Sequence, residues 1–252
     1  RWARWSKSTR SSLSGRPDTD VLTARPFAHR GLHGNGASEN GMAAFRAAIA
    51  AGHGIECDVR ISRDSVAFVF HDDDLGRMTG RAGPIADQYG AQLDGARLPD
   101  GGAVPRLSDL LALCDGMTPL LVEIKTDGWR VAKIAAAVAR DLDAWLDAPV
   151  AVMAFNPLVL RWFVLQRPRQ LRGWVVSQQN KGPMCRWAER ALALWLAKPD
   201  FLACDIRDLP SPFTARMRSR GVPVLSWTVR TPDDQARAAR HADQIIHELG
   251  RG

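Results

Sequence analysis

No stretch of 18 consecutive apolar residues occurs in the 252-residue chain, so no segment is long enough for a membrane-spanning helix. The first fifteen residues lack an apolar core of the signal-peptide kind, and no acidic residue precedes Asp18. That stretch is instead basic and aromatic, with four cations, two Trp and five Ser. Residues 1–24 read as a flexible extension, a structureless leader first, with contact to an anionic membrane surface as the other reading. The four cysteines, Cys57, Cys114, Cys185 and Cys204, have no metal-ligand spacing, and two fall inside strand-like runs. Buried thiols in a reducing compartment fit them. There is no internal repeat and no low-complexity tract. The expectation is a soluble, cytoplasmic protein, with peripheral membrane contact left open.

A net charge of +7 and a pI near 9.8 raise nucleic acid as a partner. Its recognition modules are missing, and so are aromatics interleaved with the cations. Arginines such as Arg161, Arg169, Arg216 and Arg237 are scattered over predicted outer helices. Solvated helix faces follow, with a secondary pull on anionic substrates or membranes, and no nucleic-acid partner is expected.

What is present is a series of short apolar runs, some carrying charge. Residues 54–61 alternate, putting Ile55, Cys57, Val59 and Ile61 on one face of a strand and Glu56 and Asp58 on the other. Four residues, Ser62 to Ser65, separate this strand from the run 66–70, too few for a parallel crossover, so the two should pair as an antiparallel hairpin. A two-residue turn at Arg63-Asp64 sets His71 opposite Glu56, and one at Asp64-Ser65 sets it opposite Asp58. Only an odd-length loop would turn His71 away. Downstream, Glu123 and Lys125 share a face of the otherwise apolar strand 119–125. Charge there needs a partner or a metal, because a desolvated, unpaired carboxylate is costly.

Together these pieces resemble the glycerophosphodiester phosphodiesterase family over about residues 26–248. The resemblance is carried by His29-Arg30-Gly31, Glu39-Asn40-Gly41 with Ala44-Phe45 and Ala48, and Glu56-Cys57-Asp58. It continues through His71-Asp72 with Leu75, Arg77 and Thr79, then Glu123-Ile124-Lys125 and Trp227-Thr228-Val229. It implies a single-domain α/β fold, a TIM (β/α)8 barrel over residues 25–250, with a short hairpin arm after the second strand and an irregular insertion, 72–106, over the mouth. It also implies hydrolysis of a small-molecule glycerophosphodiester to glycerol 3-phosphate and an alcohol with one divalent cation. Two positions depart from the family pattern. Gly41 stands where a capping Thr or Ser is common, and Asp64-Ser65 where Asp-Gly is frequent.

The rest of the chain agrees with a barrel on its own terms. Strand-like runs fall at 27–29, 55–61, 120–124, 150–155, 173–176, 201–205, 222–229 and 244–247, with helix-period segments between them. One is built on Met42, Phe45, Ala48 and Ile49, another on Ile134, Val138, Leu142 and Trp145. His29, Glu56, Asp58, Glu123, Lys125 and Trp227 stand at or near strand ends, where parallel barrels keep their chemistry.

The implied roles divide as follows. Glu56, Asp58 and Glu123 offer only oxygen ligands, which selects Mg²⁺ or Ca²⁺. His29 and His71 share the proton transfers, with acid and base left unassigned. Arg30 holds a phosphate oxygen by a two-pronged contact, Lys125 adds a point charge, and Trp227 is an apolar wall for glycerol or alcohol. Lysophospholipase D-type hydrolysis of lysophospholipids is the alternative. A catalytically silent ligand- or membrane-binding barrel is disfavoured, since no proton-transfer or metal residue is lost. His33, His53, His241 and His247 read as surface or structural, and Asn156 as a helix cap or a substrate contact.

Overall fold

The alternating runs close into a barrel in a computed structural model of the chain, which describes residues 19–126, 128, 131–178 and 183–248. The basic stretch through residue 18 therefore lies outside the described residues. The strands are β1 Phe27–His29, β2 Gly54–Ile61, β3 Ala67–Val69, β4 Leu120–Ile124, β5 Val150–Ala154, β6 Leu171–Val176, β7 Phe201–Asp205, β8 Val224–Val229 and β9 Gln244–His247. β1, β2 and β4 to β9 pair in parallel, and β1 closes the ring by pairing with both β2 and β9. β3 is the antiparallel arm on β2. Each expected strand is present, and helices including Met42–Ala50, Val131–Leu142 and Pro157–Gln166 form the outer layer of a TIM barrel.

Alternation along each strand divides its side chains between two cores. Ile55, Cys57 and Val59 point outward into the packing between sheet and helices, where none is exposed. The inward positions at the barrel floor are Phe27, Leu121, Ala151, Phe201, Leu225 and Ile246. Two of these rings fit because their paired neighbours are glycines. Phe27 lies across from Gly54 and Phe201 across from Gly173, and a Cβ at either glycine would come within 2.6 and 2.2 Å of the ring. Leu22, from the turn Asp20–Leu22, joins the same floor core at 1% exposed, and Gln244 Nε2 donates to the Thr23 carbonyl at 2.8 Å. Residues 19–24, grouped with the flexible extension on sequence grounds, are thus in part packed.

The hairpin register differs from both expected forms. Val59 faces Val69, Arg60 faces Phe68 and Ile61 faces Ala67, so the connection is the odd-length segment 62–66. Ser62 N bonds to the Val66 carbonyl at 3.0 Å, Ser62 Oγ to Asp64 Oδ1 at 2.6 Å, and Ser65 takes the left-handed conformation at φ 65°. These local bonds absorb the extra residue. Strict alternation would then point His71 away from the carboxylates. β3 ends at Val69, however, and Arg60 Nε donates to the His71 carbonyl at 2.8 Å, which holds the freed chain over the mouth. The insertion beyond it is packed, with Leu75, Ile85 and Leu93 joining Phe68 and Phe70 in a satellite core.

Cys57, Cys114 and Cys204 are buried and unpaired. Among the described residues no helix is long and apolar enough to cross a membrane.

Candidate active site

At the C-terminal ends of the strands a cavity of about 490 Å³ is lined by His29, Arg30, Glu56, His71, Glu123, Lys125 and Trp227, among others. Asp58 lies just beneath, 1% exposed. All eight residues singled out from the sequence therefore meet in one place.

Glu56 and Asp58 are consecutive inward positions of β2, and Asp58 is paired across the sheet with Glu123 of β4. Ligand oxygens of these three buried carboxylates lie within 4.8 Å of one another. Glu56 Oε2 accepts from the Arg30 backbone N–H at 2.9 Å, while Oε1 is buried without a hydrogen-bond partner. Burial first, then the charges of Asp58 and Glu123, push the Glu56 carboxyl well above the ordinary carboxylate range. Asp58 is driven the other way. Burial would raise it, but Lys125 and Arg30 outweigh that and hold it ionised. A compact, oxygen-only set with one orphaned buried oxygen fits a hard divalent cation.

Two cations already sit among these carboxylates. Lys125 Nζ bonds to Glu123 Oε1 and lies 3.0 Å from Asp58 Oδ1. Burial opposes its charge, yet those two partners raise its pKa and keep it an ammonium. Arg30 Nη1 donates to Glu39 Oε1 at 2.9 Å, and Nε is 3.0 Å from Asp58 Oδ2. The two-pronged phosphate contact expected of Arg30 is therefore without its Nε and Nη1 in this arrangement. Arg30 takes the left-handed conformation, φ 56°, and this turn aims its N–H at Glu56.

The two histidines share one design. His29 Nδ1 lies 2.6 Å from Glu248 Oε1, and its Nε2 is 4.0 Å from Glu56 Oε2. His71 Nδ1 lies 2.7 Å from Asp72 Oδ1. In each, a carboxylate on Nδ1 favours the tautomer with the proton there, which leaves Nε2 to exchange protons in the cavity. Burial lowers the pKa of His29, opposed by its bond to Glu248. Glu248 itself is held well below the usual range, because bonds from His29, His33 and Arg230 overcome the effect of burial. Asp72 is held at about 2, chiefly by Arg77, whose Nε donates to it at 2.5 Å. Arg77 Nη2 also donates to Glu39 Oε1 at 2.6 Å, so Arg30 and His71 are tied through Glu39, Arg77 and Asp72.

Sequence reasoning did not assign Glu248, Asp72 or Asn40 a part. Asn40 grips Asp58 twice, accepting from its N–H at 3.2 Å and donating to Oδ2 at 2.9 Å. Glu248 was detectable as the next inward position after Ile246, and Asp72 as the carboxylate adjoining a candidate histidine. His33, read as surface or structural, has Nε2 3.8 Å from Glu248 Oε1. Asn156 caps the helix Pro157–Gln166, its side chain accepting from Leu158 N at 3.0 Å. Gly41 leaves the helix Met42–Ala50 without a side-chain cap, and a Cβ there would lie 2.9 Å from the Ser38 carbonyl oxygen.

The opposite wall is apolar. Trp227 Nε1 donates to the Ala203 carbonyl at 3.0 Å, which fixes the indole, and its ring meets Phe155 edge to face at 5.6 Å. Arg207 and Arg230 complete the rim.

The family model described as "Glycerophosphoryl diester phosphodiesterase family" matches residues 29–243. The chain is 28% identical over 225 residues to a Mycobacterium tuberculosis protein named "Probable glycerophosphodiester phosphodiesterase 2", covering 82% of this chain and 80% of that one. It is 32% identical over 141 residues to a glycerophosphodiester phosphodiesterase of Bacillus altitudinis, covering 52% and 57%. Among solved structures, an Oleispira antarctica phosphodiesterase in complex with the product sn-glycerol-3-phosphate matches with a TM-score of 0.78 at 23% identity. That match covers 90% of this chain and 95% of the other.

Proposed function

Since the chain belongs to the glycerophosphoryl diester phosphodiesterase family, we propose that it hydrolyses glycerophosphodiesters to glycerol 3-phosphate and an alcohol, with Mg²⁺ or Ca²⁺ held by Glu56, Asp58 and Glu123. Breaking a phosphodiester requires a proton taken from the nucleophile, a proton given to the leaving alkoxide, and a counter to the added negative charge. When bound, the cation supplies positive charge against the phosphoryl group and acidifies a hydroxyl it touches. His29 and His71 divide the two proton transfers through Nε2, each steadied by its carboxylate. Lys125 remains charged at the floor of the cavity and adds to the positive field, while Trp227 and Phe155 give the glycerol or alcohol an apolar wall. Asn40 keeps Asp58 in its ligating orientation.

The observation that carries this reading is the pair of histidines, each anchored at Nδ1, beside three carboxylates whose oxygens gather within 4.8 Å. The test is release of glycerol 3-phosphate from glycerophosphocholine, glycerophosphoethanolamine and glycerophosphoglycerol. EDTA should abolish it and added Mg²⁺ or Ca²⁺ should restore it. Full turnover by metal-free protein overturns the ligand set, and no release from any diester with either cation overturns the substrate class.

A second reading, lysophospholipase D-type hydrolysis, is favoured by Phe155, which stands 44% exposed on the cavity rim where an acyl chain could lie. Lysophosphatidylcholine in the same assay decides it. The three buried unpaired thiols suit a reducing compartment such as the cytoplasm.

A further inference from the structure

Positions 148–199 hold eight basic residues and a single acidic one, Glu189. Of these, Arg167 pairs with Asp143 and the buried Arg172 with Asp200, while Arg161, Arg169 and Lys198 lie on or beside the two helices Pro157–Gln166 and Pro183–Ala197. The same segment carries most of the exposed apolar surface. Of the eight large apolar side chains exposed among the described residues, five lie here, namely Phe155, Leu158, Leu165, Leu192 and Trp195.

These side chains are arranged, not scattered. Leu158 and Leu165 are seven apart and share a face of the helix Pro157–Gln166, while Leu192 and Trp195 are three apart on the helix Pro183–Ala197. The two helices pack side by side, and the Arg161 guanidinium lies 5.9 Å over the Trp195 ring, joining the two faces. At one end Phe155 reaches the cavity rim. At the other, Arg169 and Lys198 stand exposed just past the helix ends.

We propose that the outer face of these two helices docks the barrel on an anionic phospholipid bilayer, a property beyond hydrolysis of a diester. Apolar side chains at 50–65% exposure with Trp and Arg among them match the headgroup boundary, where rings and aliphatic chains bury and guanidinium groups meet phosphate. Arg161, Arg169 and Lys198 select anionic lipid over neutral lipid. These cations also argue against a second copy of this chain as the occupant, since a two-fold contact would set them against their own copies.

The test is flotation of the full-length protein with vesicles of phosphatidylcholine alone and of phosphatidylcholine mixed with phosphatidylglycerol, at low and high salt. Binding should favour the anionic vesicles by at least about tenfold and weaken with salt. The double variant L165S/W195S should lose about tenfold or more of that binding, with hydrolysis of soluble glycerophosphocholine within about twofold of the parent. Failure of the parent to float with anionic vesicles, or equal flotation of the variant, overturns the proposal. So does a dimer in sedimentation that the double variant abolishes, with no vesicle binding. If the variant loses soluble activity by misfolding, hydrogen exchange on the parent decides. Anionic vesicles should protect peptides covering 157–166 and 190–198, and unchanged exchange there overturns the proposal.

Discussion

Along β1, β4, β8 and β9 the inward side chain changes character within two residues. Phe27 is followed by His29 on β1, Leu121 by Glu123 on β4 and Leu225 by Trp227 on β8, and beyond β9 Ile246 is followed by Glu248. At the floor these positions fill space, with Phe27, Leu121, Phe201 and Ile246 at most 1% exposed. One inward step higher, His29, Glu123 and Glu248 are ionisable, as is Glu56 on β2, and three of these four are nearly as buried as the floor. Glu56 is 0% and Glu123 6% exposed. The strands impose the same geometry at both ends, so what differs is what satisfies the buried group. A floor ring is satisfied by contact and by a glycine that makes room for it. A mouth carboxylate is satisfied by a neighbour's N–H, an ammonium or a metal, and where those fall short it costs stability. The floor should therefore carry the fold and the mouth the chemistry, a separation that substitutions can break.

The largest expected effect lies at the mouth. His29→Ala and His71→Ala should each lower kcat by roughly 10²–10⁴-fold, since each is proposed to carry one proton transfer, and thermal melts should stay near the parent's. Their losses should not multiply in the double variant. A double variant that does show the product assigns the two residues independent steps. At the floor the opposite split holds. Leu22→Ala should destabilise by about 2–5 kcal/mol while kcat/KM measured well below the melt is unchanged. A change in kcat/KM would show that the floor and the mouth are not separable.

A smaller effect is expected at the histidine anchors. Glu248→Gln and Asp72→Asn should each lower kcat by about 10–100-fold through tautomer and orientation, leaving KM for the diester little changed. Glu248 should be the more damaging of the two. His29 has 10% of its side chain exposed against 33% for His71, so water can replace Asp72 more readily than Glu248. Equal losses would remove burial as the distinction.

Much of this was legible because period 2 is a strong local signal. The alternation of Ile55, Glu56, Cys57 and Asp58 fixes which side chains share a face, and the spacing of apolar runs fixes the strand count. Two kinds of feature were not legible. The hairpin register depends on how Ser62, Asp64 and Ser65 bond within the loop, and one residue of difference there reverses the alternation. Partners supplied from afar were also hidden. Glu248 reaches His29 across 219 positions, and Asn40 reaches Asp58 from a loop whose left-handed backbone, φ 55°, no periodicity announces. The exposed face of the two helices Pro157–Gln166 and Pro183–Ala197 was half visible. The sequence marks their arginines as solvated, but which apolar residues stay outside depends on how the helices seat against each other.

The smallest effect is also the sharpest test of a mouth that costs stability. In metal-free protein the Glu56 carboxyl titrates above its unfolded value, because burial and the charges of Asp58 and Glu123 disfavour ionisation. A carboxyl raised on folding contributes stability that is fully present below its unfolded pKa, and that contribution is lost as pH rises through the folded one. Near neutral pH, then, Glu56 is a burden to the metal-free fold. Glu56→Gln keeps an oxygen to accept from the Arg30 N–H and removes the charge. Its metal-free melt should rise by roughly 2–4 °C for each kcal/mol relieved, with the gain shrinking as pH is lowered toward the ordinary carboxylate range. Added Mg²⁺ or Ca²⁺ should raise the parent's melt and leave that of Glu56→Gln much less changed, because the variant lacks one of the three proposed ligands. A metal-free variant less stable than the parent at neutral pH would mean that Glu56 is stabilised by its neighbours, and the contrast between floor and mouth would fail at its central residue.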